Sequence, residues 1–543
     1  MTAPHADLVI HGSVVVAAEL GGLLTAEAVG IAGGRVVSVG TRDQVADVAA
    51  PGARVVDAGE AAVIPGLHDF HVHLVTLARG RAAIGLEDAA DGVEVLSRLR
   101  AAAARGGDGW ITGRGWSEAQ LAGVPPGALD AAVGERLAFL SSHDGHSAWA
   151  SAAALRLAGL GATTPDPDGG RLERDDSGEP TGVLRETALD LVDRIVPRPR
   201  GAELRPHLDA TLAELASFGI TGASEAGDYT DANGGGPDAA LGDSYSALTE
   251  LADIVDGRLR LTIGIPVDAL AAAAERGLRT GAPLRGRRTM RFGWAKAYAD
   301  GALGSGTAAL FTPRTCEDGD AGILRIDPGE LDAIVQAARG AGIGLAVHAI
   351  GDRAAATVLD ALERGPRRQP GVPADRLEHA QLVREADRRR LAALGVTASI
   401  QPIHAAADRD LVEACWDGRQ ADAYAWRSLA AAGVLLASGS DAPVESADPW
   451  LGMFAAVHRR LPADERDDWR AGQSLTAVEA LAAATLGPAV ALGVADEGHL
   501  RVGARADLAI LDAGPDVLLA GDERLAEVRA VRTFVDGIEA HRG

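Results

Sequence analysis

The sequence predicts a (β/α)8 barrel that carries an insertion after its first strand and a small β-sandwich built from both termini. Three observations lead there. Eight short apolar runs alternate with alanine- and arginine-rich helical stretches, the pattern of βα units and a parallel sheet. Many of these runs end in a polar or ionisable residue, and the C-terminal strand ends of such barrels form the chemical face. Both ends of the chain have a different texture, with short β-type runs separated by glycine.

The N-terminal part, residues 1–62, holds Leu8–Ile10, Val14–Ala17, Ala28–Ile31, Arg35–Val39 and Arg54–Val56. The C-terminal part, residues 488–543, repeats that texture in Leu508–Leu511 and Val531–Val535. Two similar ends around a different middle imply one domain made from both. Residues 63–487 form the barrel. Its strand candidates are Val63–Val72, Gly219–Glu225, Arg258–Pro266, Met290–Tyr298, Gly344–His348, Arg376–His379, Gly395–Ile400 and Gly433–Ser438. The gap between the first two is too long for a single helix, so residues 81–205 are an insertion with structure of its own. The stretch from Gly227 to Gly242, rich in Gly, Asp and Asn, reads as a long loop.

A chain of 543 residues with 47% apolar content builds a sizeable core. Its net charge of −24 disfavours nucleic-acid and anionic-membrane partners. No segment reaches the ~20 apolar residues of a membrane span. The only cysteines, Cys316 and Cys415, make no disulfide framework and no C-x-x-C pair, which fits a reducing cytoplasm. The expectation is a soluble cytoplasmic protein.

Lys296 is the only lysine among 52 Lys+Arg residues. A buried ammonium loses its proton readily, whereas guanidinium stays charged. A neutral amine can attack an electrophile or take up CO2 as a carbamate. A lone lysine can also be a chance survivor or a surface cation. Its place at the end of the run Arg291–Tyr298, just before Asp300 and Gly301, points to a functional loop instead.

His71 and His73 flank Val72, and alternate strand positions share a face, so both imidazoles project together. Converging neutral imidazoles suit zinc, iron or similar divalent metals. A lone H-x-H is weak evidence. Further groups strengthen it: His348 and His379 close two other strands, and Asp441 follows Leu435–Ser440. Four histidines, an aspartate and the sole lysine at barrel strand ends form one constellation.

The segments Val63–His73, Ala299–Ser305, His348–Arg353, Glu378–Gln381, Gln401–His404, Gly439–Pro443 and Gly503–Leu508 carry a resemblance across essentially the whole chain. In order, they resemble the amidohydrolase superfamily, and within it the YtcJ-like metal-dependent hydrolases of the amidohydrolase-3 group. The resemblance implies a distorted barrel, a β-sandwich from both termini, and hydrolysis by metal-activated water. It implies that His71 and His73 hold one metal, His348 and His379 a second, and carboxylated Lys296 bridges them. Asp441 would bind the first metal and handle the proton. One or two zinc ions are expected, with iron or manganese as alternatives. A carbamate suits the bridge: arginine cannot form one, and Asp or Glu would not reach as far.

Within the insertion, Gly113–Glu118, Ser142–Trp149 and Thr181–Glu186 also resemble this group and read as a cap lining the substrate pocket. Trp116, His146, Glu186, Asp300 and His404 are the substrate-binding candidates; Trp116 and Trp149 equally suit the insertion's own core. His404 is placed toward substrate or its oxyanion rather than metal. Gly306 stands where the group usually has arginine, and Ser151 where asparagine often follows His-Ser-Ala-Trp. His5, His11, His68, His207, His458, His499 and His541 lack ligand-like context. The expected function is hydrolysis of a non-peptide C–N bond in a small amide, formamide or cyclic amide. Deamination or ester or lactone hydrolysis is the alternative, and a non-catalytic scaffold is a third reading. The expected partner is a small-molecule substrate, and the chain is expected to form a homo-oligomer.

Overall fold

The computed structural model describes residues 5–19, 22–107, 109–142, 145, 147–167, 170–227, 238–316 and 319–543. The chain divides into two compact units, Met1–Leu74 with Asp209–Gly543, and Val75–Leu208.

The first unit contains the barrel. Its strands are β1 (Leu67–Val72), β2 (Ile220–Glu225), β3 (Arg260–Pro266), β4 (Met290–Tyr298), β5 (Leu345–Ala349), β6 (Arg376–His379), β7 (Thr397–Ile400) and β8 (Leu436–Ser438). Each pairs in parallel with the next. β1, β2, β3, β5, β6 and β7 are buried along their whole length. Strands covered on both faces read as continuous apolar runs, which made them visible in the sequence.

The sheet closes where β8 meets β1. Asp441 N donates to His71 O at 2.7 Å, and His73 N donates to Ala442 O at 2.9 Å. Gly439 makes that approach feasible: a Cβ there would lie 2.2 Å from His71 N. What comes close to this glycine is the backbone of the opposing strand.

The predicted run Val63–Val72 belongs to two sheets. Ala49–Pro65 pairs with Ala6–Glu19 and Leu508–Leu511, whereas Leu67–Val72 opens the barrel. The division falls at Gly66, where a Cβ would meet Thr221 Oγ1 at 2.0 Å. The terminal domain is a seven-stranded sheet, in spatial order Ile538–Arg542, Ala530–Val535, Leu508–Leu511, Ala49–Pro65, Ala6–Glu19, Gly22–Ala32 and Arg35–Gly40. Its core joins Ile10, Val14, Val29, Val63, Leu508 and Phe534 from both ends of the chain. Arg260, buried at the start of β3, ties barrel to terminal domain through Asp507 and Asp536.

The second unit is built on a six-stranded sheet, ordered Gly170–Arg174, Pro180–Glu186, Ser147–Ala150, Ala138–Ser142, Ile111–Trp116 and Ile84–Gly85. The helices Gly92–Ala104 and Ala128–Val133 contribute Val95, Leu99 and Leu129 to its core, together with Trp116, Leu140 and Trp149.

The cysteines depart from expectation. Cys316, after β4, and Cys415, in the helix Arg409–Cys415 after β7, form a disulfide across 99 residues of sequence. The segments after β4 and β7, set side by side by the fold, supply the pair, which their spacing could not reveal. The cysteines therefore lend no support to a reducing compartment. Among the described residues, no helix is long and apolar enough to cross a membrane.

Candidate metal centre

The strand ends of the barrel bring His71, His73, Lys296, His348, His379, His404 and Asp441 to one face. His71, His379 and Asp441 each offer a ligand atom within 4.8 Å of the others, and all three are buried. Asp441 lies at the centre of the cluster. Its Oδ1 is 3.2 Å from His71 Nε2 and 3.0 Å from His73 Nε2; its Oδ2 is 3.1 Å from His404 Nε2. His379 Nδ1 stands 3.9 Å from the same Oδ2. The ring centroids of His348 and His379 are 4.5 Å apart, and those of His71 and His379 are 5.3 Å apart.

Among the described residues, two buried imidazole nitrogens, His71 Nε2 and His379 Nδ1, make no hydrogen bond of acceptable geometry, although both face Asp441. Buried polar atoms are nearly always satisfied, so orphaned atoms call for a ligand. Nitrogen and carboxylate donors at this spacing fit a divalent metal of the zinc type.

Backbone geometry sets the constellation. His379 and Asp441 are both left-handed, with φ of 70° and 63°. Such conformations cost on the order of 1–3 kcal/mol and cluster at functional sites. At His379 the left-handed turn ends β6, so that neighbouring Glu378 and His379 both reach the cluster. Helix Pro402–Ala407 begins with proline immediately after β7 and carries His404.

Each histidine is oriented from behind. His71 Nδ1 donates to Glu378 Oε2 at 2.5 Å, which leaves Nε2 toward Asp441. Glu378 also pairs with Arg376 at 2.6 Å, and the Arg376 guanidinium lies 3.8 Å from the Phe70 ring centroid. Burial would raise the Glu378 carboxyl, but Arg376 and His71 outweigh it and hold it well below its usual range. Asp441 is likewise held well below, because His71, His404 and His73 overcome burial. His348 Nε2 donates to Gly301 O at 2.9 Å, so its Nδ1 carries the lone pair. Burial and then the charge of Lys296 push His348 down to about 3. Burial also holds His379 well below its usual value, so both stay neutral, the form that binds metal. His404 moves the opposite way: burial lowers it, but Asp441 and Glu445 together push it up to about 10.

Lys296 is buried on β4, with Nζ 4.9 Å from the Tyr298 ring centroid, and its charge acts on His348, His379 and Glu378. Asp300 has no exposed surface. Its carboxylate accepts from the N–H groups of Ala309, Ile350 and Gly351 at 2.8–3.0 Å. That arrangement pins the segments after β4 and β5 together and puts Asp300 behind the site instead of on a substrate surface. Trp116 is buried in the second unit and donates its indole N–H to Leu140 O at 2.8 Å, a core position. His146 and the Glu186 side chain lie outside the described residues. Ser151 caps its helix by accepting from Ala154 N. Gly306 is left-handed, and the Arg314 guanidinium occupies the space a side chain there would need. His68 is a buried core histidine bonded to Ser224 and pushed down to about 3, first by burial.

Glu378, Arg376 and Glu445 carry structural roles that sequence reasoning did not assign. Arg376 and Glu378 occupy alternate positions of one strand, a signal of a shared face. Nothing in the sequence pointed to Glu445.

The chain matches the model of the "Amidohydrolase family" over residues 54–540. It is 30% identical to the protein YtcJ of Bacillus subtilis (strain 168) over 88% of this chain and 88% of that protein. It is 29% identical to the N-substituted formamide deformylase of Arthrobacter pascens, covering 94% of each chain. Among solved structures, a metal-dependent hydrolase from Pyrococcus horikoshii OT3 superposes with a TM-score of 0.77 at 26% identity, covering 95% of this chain and 99% of that one.

Proposed function

This chain belongs to the amidohydrolase family, and on that footing we propose that it hydrolyses a non-peptide C–N bond, with an N-substituted formamide or related small amide as substrate. The observation that carries this reading is the buried set of His71, His379 and Asp441 with two orphaned imidazole nitrogens. Near end-to-end similarity to a formamide deformylase supports the substrate class.

In this reading His71, His73 and Asp441 would hold one divalent metal and His348 and His379 a second, and a carbamate formed on Lys296 would supply anionic charge to them. Zinc is the first choice of metal. A bound divalent metal supplies Lewis acidity and a nucleophile usable at neutral pH. In its deprotonated form the Lys296 amine would add to CO2 and release a proton, giving a carbamate anion. Asp441 presents Oδ1 toward His71 and His73. At Oδ2 it takes the proton of the attacking water and passes it to the leaving nitrogen. His404 Nε2–H faces Oδ2 and holds that oxygen in place. A cytoplasmic homo-oligomer is the proposed state.

The test is to incubate purified, zinc-loaded protein with N-substituted formamides and follow release of formate and amine. Formate release that stops on chelation and returns with metal is the expected result. Ammonia release from heterocycles without formamide cleavage would replace this reading with deamination.

A further inference from the structure

We propose that Glu445 is a positioning residue that grips His404 from behind and thereby sets how Asp441 is presented. This rests on the hydrolytic reading above. The geometry is a clamp. His404 Nε2 is 3.1 Å from Asp441 Oδ2, and His404 Nδ1 is 3.5 Å from Glu445 Oε1. Both carboxylates come from one short segment. Asp441 is left-handed, and Val444 N closes a turn onto Asp441 O at 2.9 Å. That turn brings Glu445 to the edge of the ring opposite Asp441.

A carboxylate only accepts, so the His404 nitrogen facing Glu445 Oε1 at 3.5 Å can engage it only as an N–H. With Nδ1–H directed at Glu445, the plane of the ring is fixed and Nε2–H is aimed at Oδ2. Asp441 then has distinct oxygens: Oδ1 toward His71 and His73, and Oδ2 toward His404. Without Glu445, His404 can rotate about χ2 and release Oδ2. Asp441 would still face the two strand histidines, so metal binding should survive while proton handling suffers.

Glu445 is partly buried, and its charge acts on Asp408, whose carboxylate accepts from Tyr424 O–H. The backbone carbonyl of Tyr424 accepts from Arg459 Nη1 at 3.1 Å.

Zinc-loaded full-length protein would be compared with Glu445→Ala and Glu445→Gln. Glutamine retains an acceptor oxygen without the charge and provides a milder variant should alanine fail to fold. In Glu445→Ala, kcat on the formamide substrate should fall about 10- to 100-fold, with KM within about threefold and zinc content unchanged. Glu445→Gln should lie between alanine and wild type. Independently of turnover, nitrogen-15 NMR of the histidine rings, with His404→Gln used for assignment, should show the His404 Nδ1–H signal lost in Glu445→Ala. An unchanged signal in that variant overturns the proposal, whatever the rates do. Equal kcat in alanine variant and wild type overturns it too. Should wild type cleave no formamide, the substrate reading fails, and the NMR comparison still decides the role of Glu445.

Discussion

Glu378 accepts a hydrogen bond from His71 at 2.5 Å while pairing with Arg376 at 2.6 Å, all three side chains being buried. The bond fixes which nitrogen of His71 faces Asp441. Partners of this kind hold metal-binding histidines, and losing one typically costs 10- to 100-fold in metal affinity or activity. Glu378→Gln should weaken zinc binding by that order, as read by competition with a chromogenic chelator. Glu378→Ala should in addition destabilise the fold, because Arg376 is left buried without its partner.

Asp441→Asn keeps the shape of the side chain and removes its capacity to take a proton. Turnover should fall by ~10²–10⁴-fold, with little change in the unfolding midpoint. Steady-state kinetics beside a thermal melt check both halves. Near-wild-type turnover at neutral pH would remove Asp441 from the chemistry.

Arg260 should matter to stability and leave the site alone. Its side chain is 3% exposed and meets Asp507 and Asp536 of the terminal domain. Arg260→Ala strands buried carboxylates, and breaking a buried pair from one side costs ~3–5 kcal/mol. Denaturant titration should show that loss, with zinc content per folded chain unchanged.

The disulfide closes a loop of 99 residues. Cross-links of this kind contribute ~2–4 kcal/mol, largely by constraining the unfolded chain. Cys415→Ser, or reduction of the wild type, should therefore lower the unfolding midpoint. Identical midpoints with and without reductant would show that the link contributes nothing to stability.

Much of the barrel was legible because strands buried on both faces are written as unbroken apolar runs. Met290–Tyr298 and Arg376–His379 have the same bounds in sequence and structure. Lys296 declared itself by composition alone. The division of Val63–Val72 was hidden, because Gly66 passes the chain from one sheet to another without interrupting its apolar texture. Ile538–Arg542 was missed because it is a polar edge strand whose place comes from pairing with Ala530–Val535. Asp300 looked like a pocket residue by its strand-end position; only the three N–H groups converging on it show that it is a brace. The Cys316–Cys415 pair and the clamp of Glu445 on His404 depend on which loops the closed barrel sets side by side. No local pattern records that.

The central claim is that the buried cluster of His71, His379 and Asp441 is a metal centre. The most direct measurement is elemental analysis after zinc loading and desalting of wild type and His379→Ala. Wild type should retain one or two zinc ions per chain, and the variant should retain fewer although folded. A wild type that retains no metal, or a variant that retains as much as wild type, would contradict the account.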